Sequence, residues 1–255
     1  MAIRLQNLHK TIGRQKVLRG VDLEIRDGER LVVIGTSGGG KSVLLKHILG
    51  LMRPDAGEVW YGDKEITRLS EVEMVPLRRE MGMLFQNGAL FDSMNVGDNV
   101  AFSLVERQEE AAPDIKRKVS EALAMVGLKG QERKWPSDLS GGMRKRAALA
   151  RAAISKPKVL LYDEPTAGLD PIMTDSIDKL ILRLSQEHGS TAVVVTHDMK
   201  SAFKVADRIA MLHEGRIYGI FTPKELQESR DPVLYRFVNG ISDAEEPGDT
   251  PISTH

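Results

Sequence analysis

Three apolar runs organise the chain. Leu31-Val32-Val33-Ile34, Val159-Leu160-Leu161-Tyr162 and Ala192-Val193-Val194-Val195 are continuous rather than alternating. A strand buried on both faces of a parallel sheet has this texture, whereas a half-exposed strand alternates. Each run ends in small or polar residues: Gly35-Thr36-Ser37, Asp163-Glu164 and Thr196-His197-Asp198. Ligands collect at the carboxyl ends of strands in open α/β sheets, so the three ends predict one shared site.

The texture changes between about residues 87 and 155. Asp114 to Val126 predicts an amphipathic helix with Ile115, Val119, Leu123 and Val126 on one face, and Met143 to Ile154 predicts another. This stretch is expected to be a helical insert in the α/β core. Residues 1–30 and 55–66 carry short alternating segments with turn signals (Arg26-Asp27-Gly28-Glu29, Pro54-Asp55-Ala56-Gly57), which predict a small β layer. Thr222-Pro223-Lys224-Glu225 combines an N-cap, a first-turn Pro and a capping-box Glu, and Asp231-Pro232 opens a further helix that Asn239-Gly240 stops. The domain plan is therefore 1–86 with 156–225 as core and β layer, 87–155 as helical insert, and 226–240 as C-terminal helix. Residues 241–255 hold four acids, two Pro and no Lys or Arg, and are expected to be a disordered tail.

Composition narrows the functions. Lys plus Arg and Asp plus Glu both number 36, a zero balance that argues against bulk electrostatic binding to nucleic acid. The absence of Cys removes thiolate nucleophiles and Cys-ligated metals. No apolar run approaches the roughly 18 residues that span a bilayer, and the start of the chain lacks the apolar core of a secretory signal. The chain is expected to be soluble by itself while able to dock on a membrane protein.

Gly35-Thr36-Ser37-Gly38-Gly39-Gly40-Lys41-Ser42 fits G-x-x-x-x-G-K-[ST], after an expected buried strand and before an expected helix, Lys41 to Leu49, stopped by Gly50. Glycines let successive N–H groups turn inward as an anion nest, and the helix N-terminus adds its positive end. Lys41 is then expected at the β and γ phosphates and the Ser42 hydroxyl on Mg²⁺. A rival reads Gly35, Ser37 and Gly39 as G-x-S-x-G, a hydrolase nucleophile elbow, with Asp163 and His197 following in order. Against it, only 34 residues precede Gly35, too few for the strands such a sheet places before its elbow. The rival also leaves Lys41-Ser42 unexplained.

Asp163, closing an apolar run, is placed to hold Mg²⁺, and Glu164 to polarise a water; the plain alternative is two solvated loop acids. His197 closes the next run, where a satisfied core histidine is the ordinary expectation for a lone His. Leu139-Ser140-Gly141-Gly142-Met143 opens a helix and is a second anion nest or a plain N-cap. Two phosphate-type sites on one chain suggest that each nucleotide is shared between two copies.

Over nearly its whole length the chain resembles the nucleotide-binding subunits of ABC transporters. The matches are Walker A at Gly35 to Ser42, the Q-loop at Met83-Leu84-Phe85-Gln86, the signature at Leu139 to Met143, and Walker B at Val159 to Asp163 with Glu164. The D-loop is Ala167-Gly168-Leu169-Asp170 and the switch histidine His197. The resemblance implies a P-loop, RecA-like α/β fold with an antiparallel β subdomain and an inserted helical subdomain. It implies ATP between Walker A of one copy and Ser140-Gly141-Gly142 of another, and Mg²⁺ on Ser42, Gln86 and Asp163. Glu164 and His197 would position the attacking water.

Phe85-Gln86-Asn87-Gly88-Ala89-Leu90-Phe91, then Met94-Asn95-Val96 and Asp98-Asn99, is similar to the ATPases of Mla- and Mce-type lipid transporters, as is the ending Asp231-Pro232-Val233 to Phe237-Val238-Asn239-Gly240. That narrower resemblance implies a homodimer beneath a membrane permease at the cytoplasmic face of the inner membrane. It also implies a membrane-anchored lipid-binding protein and a small regulatory subunit as partners. Three positions depart from the wider family: Met143 stands where Gln is usual, Ile12 where an aromatic stacks on adenine, and Val43 where a second hydroxyl follows Lys41-Ser42. A different class, a soluble ABC-type ATPase in repair, translation or iron–sulfur assembly, is the alternative, which co-purification with a membrane protein would exclude.

Overall fold

The structure is a computed structural model that describes residues 3–108 and 110–241. Strands β1 (Ile3–Ile12) and β2 (Gln15–Ile25) form an antiparallel hairpin, extended by β4 (Ala56–Tyr61) and β5 (Lys64–Glu65) in the order β2-β1-β4-β5. This is the layer that the turn signals and alternation of residues 1–30 and 55–66 predict.

The second sheet has β3 (Arg30–Ile34), β6 (Met81–Leu84), β7 (Val159–Asp163), β8 (Thr191–Val195), β9 (Arg208–His213) and β10 (Arg216–Phe221), in the order β10-β9-β3-β8-β7-β6. Its strands run parallel except β10, which pairs antiparallel with β9. The three continuous runs are thus β3, β8 and β7, side by side. Both faces of these strands are covered. Val32, Ile34, Leu160, Tyr162, Ala192 and Val194 point into one apolar cluster, whereas Leu31, Val33, Leu161, Val193 and Val195 point into another.

The second cluster lies beneath the small β layer and α1 (Lys41–Ile48), which follows β3 directly. The first lies beneath α3 (Val96–Arg107), α4 (Ala112–Met125), α5 (Gly141–Ala153), α6 (Pro171–His188) and α7 (Met199–Val205). The helices between β6 and β7 therefore share one core with the sheet. Helix α2 (Glu71–Arg78) begins with a Ser70/Glu73 capping box. At the end of the chain, α8 (Pro223–Glu228) opens on the Thr222/Glu225 box, and α9 (Pro232–Asn239) runs between its Asp231 cap and a left-handed Gly240. Helix α9 buries Leu234 and rests Val233, Phe237 and Val238 on the first cluster. The tail expected from 241 onward lies, from residue 242, outside the described residues. Among the described residues no helix is long and apolar enough to cross a membrane.

Candidate nucleotide and phosphate site

The loop from Gly35 to Gly40 joins β3 to α1 at the carboxyl edge of the sheet. A Cβ on Gly35 would collide with the Leu212 carbonyl, and one on Gly40, at φ 101°, would come within 2.8 Å of Val17 Cγ1. Thr36, Ser37 and Gly38 are exposed, and Gly39 N–H donates to the Thr36 carbonyl at 3.0 Å. Lys41 folds over the loop: its ammonium donates to the carbonyls of Gly35 at 2.8 Å and Thr36 at 3.1 Å.

The Ser42 hydroxyl donates to Asp163 Oδ1 at 2.7 Å, joining the first turn of α1 to the end of β7. Burial pushes the Asp163 carboxyl up from its ordinary range, the Ser42 bond opposes this, and neighbouring Glu164 adds to it. Glu164 stands at φ 47°, a left-handed backbone uncommon for a side chain of this type. Its N–H donates to the Val195 carbonyl at 2.9 Å. Its carboxylate lies 3.6 Å from the Lys41 ammonium and 3.0 Å from His197 Nδ1, and accepts from the His197 backbone N–H at 3.4 Å. Glu164 and Lys41 are buried while His197 stays exposed. The core-histidine alternative therefore fails for His197, and the loop-acid alternative fails for Asp163 and Glu164. The G-x-S-x-G rival also loses its relay, because Asp163 accepts from Ser42 and the His197 ring pairs with Glu164 instead of Asp163.

A serine hydroxyl beside a single carboxylate is a hard oxygen pair that suits Mg²⁺, which commonly takes one or two carboxylates together with phosphate oxygens. No group of three or more His, Asp or Glu able to hold a metal occurs among the described residues, so a metal here would depend on the phosphates as well.

Other candidates lie apart. Gln86 sits exposed in the turn after β6, with no hydrogen bond to Ser42 or Asp163. Ile12 is half exposed at the tip of the β1–β2 hairpin. Val43 packs its side chain against the cluster beneath α1. Ser140 caps α5, its hydroxyl accepting from Met143 N–H at 3.3 Å. Ser140 and Gly141 are exposed, Gly142 is buried and Met143 half-buried. No hydrogen bond or ion pair joins residues 140–143 to 35–42 of this chain among the described residues. One buried cation escaped the sequence reading: Lys145, on α5, donates to the Glu164 and Ala167 carbonyls. Its neighbours Arg144 and Arg146 disguise it as one more surface charge.

A glycine-lined loop between a buried parallel strand and a helix, with Lys, Ser and an acid from the adjoining strand ends, defines a P-loop nucleoside-triphosphate site. Residues 18–167 match the family described as "ABC transporter", and the chain belongs to that family. It is accordingly an ATPase that uses ATP with Mg²⁺. The probable ribonucleotide transport ATP-binding protein mkl of Mycobacterium leprae is 42% identical, the match covering 94% of this chain and 69% of that protein. The chloroplastic protein TRIGALACTOSYLDIACYLGLYCEROL 3 of Arabidopsis thaliana is 41% identical over 94% of this chain and 74% of its own. The methionine import ATP-binding protein MetN of Carboxydothermus hydrogenoformans is 42% identical over 95% and 73%. Among solved structures, a dimeric ATP-binding cassette in a post-hydrolysis state with ADP and Pi superposes with a TM-score of 0.80 at 32% identity. That match covers 87% of this chain and 98% of that one.

Proposed function

We propose that the chain powers the movement of phospholipids or other lipids between membranes, as a head-to-tail homodimer beneath a membrane permease at the cytoplasmic face of the inner membrane. The observation that carries the ATP half is the gathering at one sheet edge of Lys41, the Ser42–Asp163 pair and the Glu164–His197 pair. In this reading the backbone from Gly35 to Gly40 cradles the phosphates. Lys41 exchanges its two loop carbonyls for β and γ oxygens. Ser42 and Asp163, with Gln86, would hold Mg²⁺, which would supply charge neutralisation for the phosphates. Glu164 orients the attacking water, and His197, anchored on Glu164, faces the γ-phosphate.

Residues 140–143 would serve a nucleotide bound by a second copy. Their exposure at a helix start, detached from their own P-loop, supports this. So does the dimeric state of the solved cassettes it matches. The permease would dock at an open groove of about 880 Å³ beside the Gln86 turn, lined in part by Met83, Phe85, Phe91, Phe102 and Arg151. The Phe91 and Phe102 ring centres lie 4.9 Å apart there, the rings tilted by 48°, and the Arg151 guanidinium lies over Phe91. The segment 87–155 is the unit proposed to carry this contact.

The lipid half rests on the 85–99 and 231–240 segments, and on one relative whose name is that of a galactolipid. Other relatives carry ribonucleotide, methionine and sulfate in their names. A lipid-binding protein and a small regulatory subunit complete the proposed assembly. The test purifies the chain with whatever membrane protein it retains and reconstitutes the complex in lipid. Stimulation of ATP hydrolysis by added phospholipid, but not by methionine, sulfate or nucleosides, is expected; the reverse pattern, or no membrane partner, would overturn the lipid reading. Sizing tests the shared site. Glu164→Gln with ATP and Mg²⁺ is expected to run as a dimer, and adding Ser140→Arg to break it; a monomer with near-normal phosphate release would refute both assignments.

A further inference from the structure

Lys145 lies one turn into α5, and its side chain is buried. Its ammonium donates to the Ala167 carbonyl at 2.6 Å and the Glu164 carbonyl at 3.3 Å, and no carboxylate pairs with it among the described ion pairs. Burial pulls its pKa below the usual lysine value, with Glu164 opposing the shift. A buried ammonium carries a desolvation cost that a methionine of similar length would avoid. What it gains is a grip on one turn: the Ala167 N–H closes back on the Glu164 carbonyl at 3.2 Å, and Lys145 holds the carbonyls of both residues that this closure joins. This turn carries the left-handed Glu164, so its backbone sets where the Glu164 carboxylate points.

The same helix start is fixed a second time. A Cβ on Gly142 would strike the Met173 methyl in the first turn of α6, and Arg146 Nη2 donates to Met173 Sδ at 3.5 Å. The first turns of α5 and α6 and the 164–167 turn are therefore one packed unit. Ser140 and Gly141 are exposed at the start of this unit, and the buried Glu164 belongs to the turn that Lys145 holds.

We propose that Lys145 is a positioning residue that ties the Ser140–Gly142 end of α5 to the Glu164 turn. Engagement of a second copy's nucleotide by residues 140–142 then aims this chain's own Glu164 at its own water, and the two shared sites of a dimer fire together. The proposal rests on the reading of Glu164 as the water-orienting group and of 140–142 as the trans phosphate site.

The test compares wild type, Lys145→Met, Lys145→Gln and Glu164→Gln as full-length proteins. The readouts are ATP hydrolysis against ATP concentration with Mg²⁺, binding of a non-hydrolysable ATP analogue, and thermal unfolding. Misaiming a reacting group by about 1 Å costs up to about a hundredfold. Lys145→Met is therefore expected to lower kcat by about tenfold or more, with analogue affinity and unfolding midpoint held. Its Hill coefficient should fall to about 1 from a cooperative wild-type value. Lys145→Gln, whose amide still donates twice, is expected to recover most of the turnover. If Lys145→Met matches wild type while Glu164→Gln is inactive, the proposal alone fails. A fully active Glu164→Gln removes the reading beneath it. Equal losses in Met and Gln with a lowered midpoint mark a merely structural lysine and overturn it, as does a wild-type response without cooperativity.

Discussion

Replacing Glu164 by Gln should slow hydrolysis and at the same time tighten nucleotide binding, and the second effect follows from the position of Lys41. The Glu164 carboxylate lies 3.6 Å from the Lys41 ammonium, with both side chains about nine-tenths buried. At an effective dielectric of about 20, that separation corresponds to roughly 4–5 kcal/mol of attraction. Most of it survives when phosphates arrive, because Lys41 stays near Glu164 and must leave the Gly35 and Thr36 carbonyls in either protein. If about a third is released, the gain is about 1.4 kcal/mol, a tenfold rise in affinity. Loss of repulsion between the carboxylate and the γ-phosphate acts in the same direction. Glutamine keeps an acceptor for the His197 N–H, so the loop between β8 and α7 should hold its place. Hydrolysis loses a base worth about 10²–10⁴ in rate, or about 2.7–5.4 kcal/mol at 1.36 per decade. Calorimetric titration of both proteins with a non-hydrolysable ATP analogue and Mg²⁺, at low and high salt, measures the first effect free of turnover. A buried interaction should show little salt dependence. Equal or weaker binding by Glu164→Gln would refute the idea that this carboxylate restrains Lys41.

Leu234 is 3% exposed, so Leu234→Ala should cost about 2 kcal/mol, the low end for a buried leucine because α9 packs on one side only. That lowers the unfolding midpoint by about 4–8 °C for a chain of this size, while Tyr235→Ala, at an exposed position, should leave it nearly unchanged. Ile12→Tyr should strengthen ATP binding by about threefold to tenfold through ring stacking; unchanged ATP and GTP affinities would dismiss Ile12 as the base contact. Burial raises the Asp178 carboxyl to about 6, against the Ser201 hydroxyl and Lys204, with Asp198 and Asp175 adding to the rise. The folded state then binds a proton that the unfolded chain releases, so ionised Asp178 weakens the fold at neutral pH and the weakening fades as pH falls from about 6 toward 4. Asp178→Asn should accordingly unfold at higher temperature than wild type at pH 8 and lose that advantage by pH 4; an advantage that grows with acid would reverse the sign assigned.

Sequence reads the layout well where one force dominates. Burial on both faces leaves continuous apolar runs, and polar residues gather where β3, β7 and β8 stop, so the grouping of Lys41, Ser42, Asp163, Glu164 and His197 was legible. Caps were legible because Ser, Thr, Asp and Pro act locally, as at Thr222 and Asp231. Strands β6, β9 and β10 and helix α6 were not singled out. Met81–Leu84 is too short to show a period, and Arg216–Phe221, an edge strand, is only half-buried. The separation of Gln86 from Ser42 was invisible because it depends on where a turn points, not on which residue fills it. Lys145 was hidden for the same reason: its helical position predicts a face, but the carbonyls that receive it come from a turn 19 to 22 residues away.

The left-handed backbone at Glu164 has a consequence for how variants of this protein would fare under selection. A residue other than Gly at such an angle costs roughly 1 kcal/mol, and the chain bears that cost where its chemistry is proposed. Glycine at 164 would relax the turn and would also remove the buried carboxylate. A library ranked for yield or heat resistance alone should therefore enrich inactive sequences at this codon. Any campaign to make the protein sturdier needs a turnover measurement alongside the melting curve, or it will select away from hydrolysis.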